Sequence, residues 1–229
     1  MSLTDASVTT SDVKVEEFLG YSIEVLDVLQ QIDLLSRARK DTTINVNSNP
    51  EALRKRLEEM INREDDKLLQ DSPSSTSPKI VGNDARLCHR AFQHATLIQL
   101  YRRLYDLPSS STPIRSAVEK VIEAIGYMVQ GQYCHAWIVT LMPLFTAGCE
   151  AVSKRQQTFV RDQMGKLELC LGSCHIQNAL KAVDKVWEIR AARGDKHGKL
   201  DPGQLLRKSK LCIHPLAQIN ADLIRGIWG

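Results

Sequence analysis

The sequence predicts an all-α protein, a single multi-helix domain of about seven to nine helices. Three features carry this expectation. Apolar residues recur at three- and four-residue intervals through most of the 229 residues, the period of a helix with one buried face. Aromatics make up only 5% of the chain, and Leu, Ala and Ile supply most of the apolar surface. Runs of β-branched and aromatic residues alternating with polar ones, the mark of strands, are nearly absent. Finally, Asn, Ser, Pro and Gly fall where the periodic segments begin and end. The hydrophobic fraction of 43% is that of an ordinary globular chain and supports a sizeable core.

Residues 1–13 are polar and small and are expected to be disordered. The helical domain is placed at residues 14–229. A first helix runs from Glu16 to Lys40, interrupted near Gly20 and Ser22. Asn49-Pro50-Glu51 is a strong start signal: a cap, a proline at the first helical position and an acid in the first turn. The helix it opens reaches about Gln70. Residues 71–84 form a Ser/Pro-rich linker. Helical spacing resumes from Ala85 to Tyr105. Thr112 and Pro113 are read as N-cap and first residue of the next helix, which ends near Gly126 or Gly131. Ser153-Lys154-Arg155-Gln156 fits a capping box for a helix stopping at Gly172. Another helix begins near His175 and ends at Ala192, with Gly194 just beyond. Asp201-Pro202 opens one more short helix, and an amphipathic piece spans Pro215 to Trp228.

The densest apolar stretch is Trp137 to Ala151. At about 15 residues, with a proline inside, it is shorter than the roughly 20 that a bilayer requires. It is therefore expected to be a core helix covered on all sides. Pro143 lacks the N–H its own turn needs, so the helix either kinks there or starts anew. Ala147, Gly148 and Ala151 invite a neighbouring helix to approach closely.

Signals for chemistry are weak. The net charge is +3, with basic and acidic residues interleaved as on solvated helix faces. Of the cysteines at 88, 134, 149, 170, 174 and 212, only Cys170, Cys174 and His175 cluster. Their C-x3-C spacing lacks the matching second half of a structural zinc site, and Cys134-His135 is the one conceivable partner. Cys149 sits in an apolar run, which raises a thiol pKa and makes it inert. Neither G-x-S-x-G nor a phosphate-binding glycine loop is present. Catalytic and cofactor-binding residues are expected to be none.

Pro143-Leu144-Phe145-Thr146-Ala147-Gly148-Cys149-Glu150-Ala151 resembles the W-P-L-F-I-A-G-C-E-A block of the fungal-specific transcription factor domain. That domain is the regulatory half of many fungal zinc binuclear cluster (Zn2Cys6) factors. Other blocks agree in order. Phe18 to Leu26 is similar to an early L-G-x-S-x-E-L helix. Ala95 to Leu104, followed by Leu107-Pro108, is similar to an A-x-L-x-Y-L-Y-R-x-L helix. Asn178 and Trp187 to Arg190 are similar to a late N…V-W-x-x-R helix. The resemblance covers roughly residues 16–195. Met142 stands where the family usually has Trp, with Trp137 a turn earlier.

The resemblance implies an all-α regulatory domain acting in the nucleus on RNA polymerase II transcription. Its partners would be proteins, in a homodimer or as coregulators, with no membrane. Trp137, Pro143, Leu144, Phe145, Gly148, Cys149, Glu150 and Trp187 would be the structural block. The family's DNA-binding module, C-x2-C-x6-C repeated, is not found, and no two of the six cysteines form a C-x2-C pair. Zinc is expected only in that module, and direct DNA binding is not expected of this chain. A fragment, a truncated gene product and a factor working through protein contacts all fit, as does a helical adaptor without a transcriptional role.

Overall fold

The computed structural model describes residues 22–39, 49–70, 80–131, 135–203 and 205, with side chains left aside at 64–70, 80–82 and 135. Eight helices lie among the described residues: α1 (Ile23–Ala38), α2 (Pro50–Gln70), α3 (Ile80–Arg103), α4 (Thr112–Gly126), α5 (His135–Ile138), α6 (Leu141–Glu150), α7 (Lys154–Leu171) and α8 (Cys174–Ala192). No strand occurs among these residues, as the periodicity predicts. The expected tail at 1–13, most of the linker, Cys134, Cys212 and the piece from Pro215 to Trp228 lie outside them.

Local chemistry fixes most boundaries. Ser22 caps α1, its Oγ accepting the Val25 amide at 3.3 Å. Asn49 Oδ1 accepts the Glu51 amide at 3.0 Å, and Pro50 opens α2. The capping box at α7 is complete: Ser153 Oγ accepts from the Gln156 amide at 3.2 Å, and Gln156 Oε1 accepts from the Ser153 amide at 3.1 Å. Gly172 ends α7 at φ 58°, a left-handed conformation that side chains disfavour. Three boundaries depart from expectation. Helix α3 begins at Ile80, so the last five residues assigned to the linker are helical. The α4 cap is Ser111, one residue early, leaving Pro113 second in the helix; the first turn needs no intrahelical donor, so either place suits a proline. Helix α8 begins at Cys174, capped by Ser173, whose Oγ accepts from the His175 amide at 3.3 Å. Beyond α8, Pro202 and Gly203 are helical and Leu205 N bonds Asp201 O at 3.1 Å, where Asp201-Pro202 is expected to open a short helix; residues 204 and 206 lie outside the described ones.

Helix α3 is the longest described element and packs against α1, α2, α4, α5 and α6. Val25, Val28 and Ile32 of α1 and Leu53, Leu57 and Met60 of α2 face inward. Arg56 of α2 reaches Asp27 of α1 at 2.6 Å, and Arg103 of α3 reaches Asp33 at 2.6 Å. These half-exposed pairs set register more than they stabilise. On the other side, α6 packs against α3, α4, α7 and α8. All ten of its residues are buried, as expected of a helix apolar all round. The segment from Trp137 to Ala151 is not one kinked helix. It is the short α5, a turn at Val139 and Thr140, and α6, with Pro143 in the first turn of α6. Of the two alternatives for Pro143, the fresh start is the one adopted.

Candidate functional site

A buried helix must find partners for the last four carbonyls of its final turn, and α6 ends in the middle of the protein. Its neighbour α8 supplies partners for two of them. Trp187 Nε1 of α8 donates to Gly148 O at 2.9 Å, and Arg190 Nη1 of α8 donates to Cys149 O at 2.5 Å. Such a close approach by α8 requires Gly148: a Cβ there would lie 2.9 Å from Val160 Cγ1 of α7 and 3.2 Å from Val183 Cγ1 of α8. The glycine read from sequence as an invitation to a neighbouring helix admits two.

The last residue of α6 is Glu150, 4% exposed. Arg102 Nε, from the end of α3, stands 3.1 Å from Glu150 Oε1, and Arg190 Nη2, from the end of α8, stands 3.6 Å from Oε2. Ser109 Oγ donates to the same carboxylate. Burial pushes the Glu150 carboxyl above its ordinary range, and the two guanidinium groups and the Ser109 hydroxyl offset only part of that rise. Three helix ends thus converge on one carboxylate.

Both arginines reach further, to the segment after α8. Arg102 donates to Gly198 O at 3.2 Å and to Leu200 O at 3.0 Å, as well as to Leu107 O at 2.6 Å. Arg190 Nη2 donates to Leu200 O at 3.1 Å. The amides of Ser109 and Ser110 bond the carbonyls of Gly198 and His197 at 3.1 and 3.0 Å. Asp195 turns the segment: its carboxylate oxygens accept the Lys199 and Leu200 amides, each at 2.9 Å. Burial raises the Asp195 pKa, but those amides and the two arginines hold it below the usual carboxylate range.

The other residues of the block are core. Trp137 is buried, its Nε1 donating to Gln163 Oε1 at 3.2 Å. Pro143, Leu144 and Phe145 are buried, and Thr146 Oγ1 lies 3.6 Å from Met142 Sδ. Burial raises the Cys149 thiol far above its ordinary value, which leaves it unreactive. Arg161 stacks over the Trp187 ring, 5.1 Å from its centroid. The eight residues therefore form one continuous packed unit around α6. Cys170 and Cys174 are exposed at the α7–α8 corner. Among the described residues, no three or more His, Cys, Asp or Glu side chains stand where they could hold a metal ion.

Of Arg102, Ser109, Arg190 and Asp195, the resemblance blocks contain the two arginines without giving them a partner, and the sequence does not single out the other two. A signal for two of them exists: Arg190 lies three and seven residues beyond Trp187 and Val183, on the buried stripe of α8, and Arg102 lies four beyond Ile98. A charge on an apolar stripe demands a buried counter-charge, and Glu150, the one charged residue of α6, meets that demand.

The sequence model of the fungal specific transcription factor domain matches residues 2–203. The chain belongs to this family. The matched span contains α1 to α8 and the whole charged cluster. The family is a regulatory one, acting in transcription and hence in the nucleus. No curated protein and no solved structure matches the chain. Among the described residues, no helix is long and apolar enough to cross a membrane.

Proposed function

We propose that the chain is the regulatory domain of a zinc-cluster-type transcription factor. In this reading it modulates RNA polymerase II transcription through protein or effector contacts, as a homodimer or with coregulators, and does not contact DNA itself. It performs no catalysis and needs no cofactor of its own; zinc belongs to a separate DNA-binding module. The observation that carries the reading is the family match over residues 2–203. The packing of the resemblance block supports it, because the block is the hub on which α3, α4, α7 and α8 converge, suited to transmitting a change at one surface to another.

A reporter assay tests this. The full chain is fused to a heterologous DNA-binding domain and directed to a promoter. Output is expected to rise or fall severalfold relative to the DNA-binding domain alone, and the Glu150→Ala variant is expected to abolish the change. Unchanged output with a well-expressed fusion defeats the proposal and favours the helical adaptor.

A further inference from the structure

We propose that residues 195–200 are a latch, seated on the buried Arg102–Glu150–Arg190 cluster, that lifts and loses its internal Asp195 turn in one step while the helical core stays folded. The latch has no helix or strand of its own. Its hold on the body is mostly polar: the Gly198 and Leu200 carbonyls on two guanidinium groups, and the His197 and Gly198 carbonyls on the Ser110 and Ser109 amides. Only Gly198 within it is buried, with Leu200 half-buried; Lys196, His197 and Lys199 are exposed. Lifting the segment exchanges these hydrogen bonds for bonds to water, which costs little per bond, and sacrifices little apolar burial. Regions so built open at free energies well below global unfolding.

The seat is made for the closed state. Gly194 and Gly198 adopt φ 63° and 62°, and a Cβ at Gly198 would fall 2.2 Å from Ser109 Oγ and 2.4 Å from its Cβ. Asp195 brings a second carboxylate, beside that of Glu150, toward the two arginines. Opening removes Asp195 and the Gly198 and Leu200 carbonyls together. Arg102 and Arg190 then face solvent with Glu150 between them, while Leu107 O and Cys149 O remain their body partners. The charged end of α6 passes from buried to accessible without any helix unfolding. Pro202 and Leu205, both buried, follow the latch directly, so its state decides whether the chain beyond α8 is held to the ends of α3, α6 and α8.

Native-state hydrogen exchange on the full chain tests the latch. The Ser109, Ser110, Lys199 and Leu200 amides are expected to exchange together, at least tenfold faster than those of α3 and α6. Gly198→Ala is expected to accelerate these four a further ten- to hundredfold, leaving α3 and α6 within twofold of wild type. Asp195→Asn, which weakens the acceptors for Lys199 and Leu200 without adding bulk, is expected to act in the same direction and serves if Gly198→Ala does not fold. The proposal is overturned if the four amides exchange at the rate of α6, or if the variants accelerate every amide alike.

Discussion

Two regions bury ionisable groups in opposite ways. At the end of α6, Glu150, Arg102 and Arg190 answer one another and a hydroxyl, and the Nη atoms of both guanidinium groups reach carbonyls, while their Nε atoms have no hydrogen bond. At the seam of α3 and α4, His94 is 8% exposed, and neither of its ring nitrogens has a hydrogen-bond partner in the structure. Burial, helped by the charges of Arg90 and Lys120, pushes its pKa down to about 4, against a smaller opposing effect of Glu123. A networked group is held by partners on several elements and becomes indispensable; a bare one gives up its charge and becomes replaceable.

The largest expected effect breaks the first region. Glu150→Ala strands two buried guanidinium groups and is expected to cost about 3–5 kcal/mol of unfolding free energy, read by urea denaturation. Replacing Arg102, Glu150 and Arg190 together with Met is expected to recover most of that loss, because an apolar trio leaves no unpaired charge. If the triple variant is no more stable than Glu150→Ala, the charges were not the source of the cost.

Acid probes the second region. In the unfolded chain His94 titrates near 6.5, in the folded chain near 4, so between those values the unfolded state binds more protons. Stability is therefore expected to fall as pH drops from 6.5 to 4, by about 2–3 kcal/mol from this residue, and to be flat in its contribution above 7. His94→Leu is expected to remove that component of the acid slope and to leave stability at pH 7 within about 1 kcal/mol of wild type. A slope identical to wild type would show that His94 is already protonated, or solvated, when folded.

A third substitution holds charge aside and tests packing alone. Gly148→Leu drives a side chain into Val160 and Val183, the nearest only 2.9 Å from a bare Cβ, and is expected to cost about 1–3 kcal/mol. Thermal unfolding at the wild-type temperature would refute the close approach of α7 and α8.

How much of this was legible follows from the same contrast. Features coded by neighbours in sequence were readable: the Asn49-Pro50 start, the Ser153–Gln156 box, the Gly172 stop, and the burial of α6 from its composition. The charged cluster was legible only in pieces: Glu150, Arg102 and Arg190 each stand in a resemblance block, but Ser109, Asp195 and the pairing were not readable, because three helix ends and a turn bring these residues together and spacing along the chain does not encode it. Pro143 allowed both a kink and a new start, since the residue fixes only where a donor is missing. The position of α3's first residue escaped for a related reason, as Ser/Pro-rich composition marks a break without saying where the next helix takes hold.

The smallest effect separates two roles that coincide in Trp187. Its ring packs beside Gly148 and under Arg161, and its Nε1 answers a carbonyl of the buried α6 terminus. Trp187→Phe keeps an aromatic ring and removes the donor. Gly148 O also accepts the Ala151 amide at 3.2 Å, so it is not left bare, and the loss is expected to be about 1 kcal/mol, well under that of Glu150→Ala. Trp187→Leu, which gives up the ring as well, is expected to cost about 1–2 kcal/mol more. If the two variants are equally destabilised, the indole's hydrogen bond and not its bulk is what joins α8 to α6. The polar logic of the cluster would then extend two residues deeper into the core, from Glu150 to Gly148.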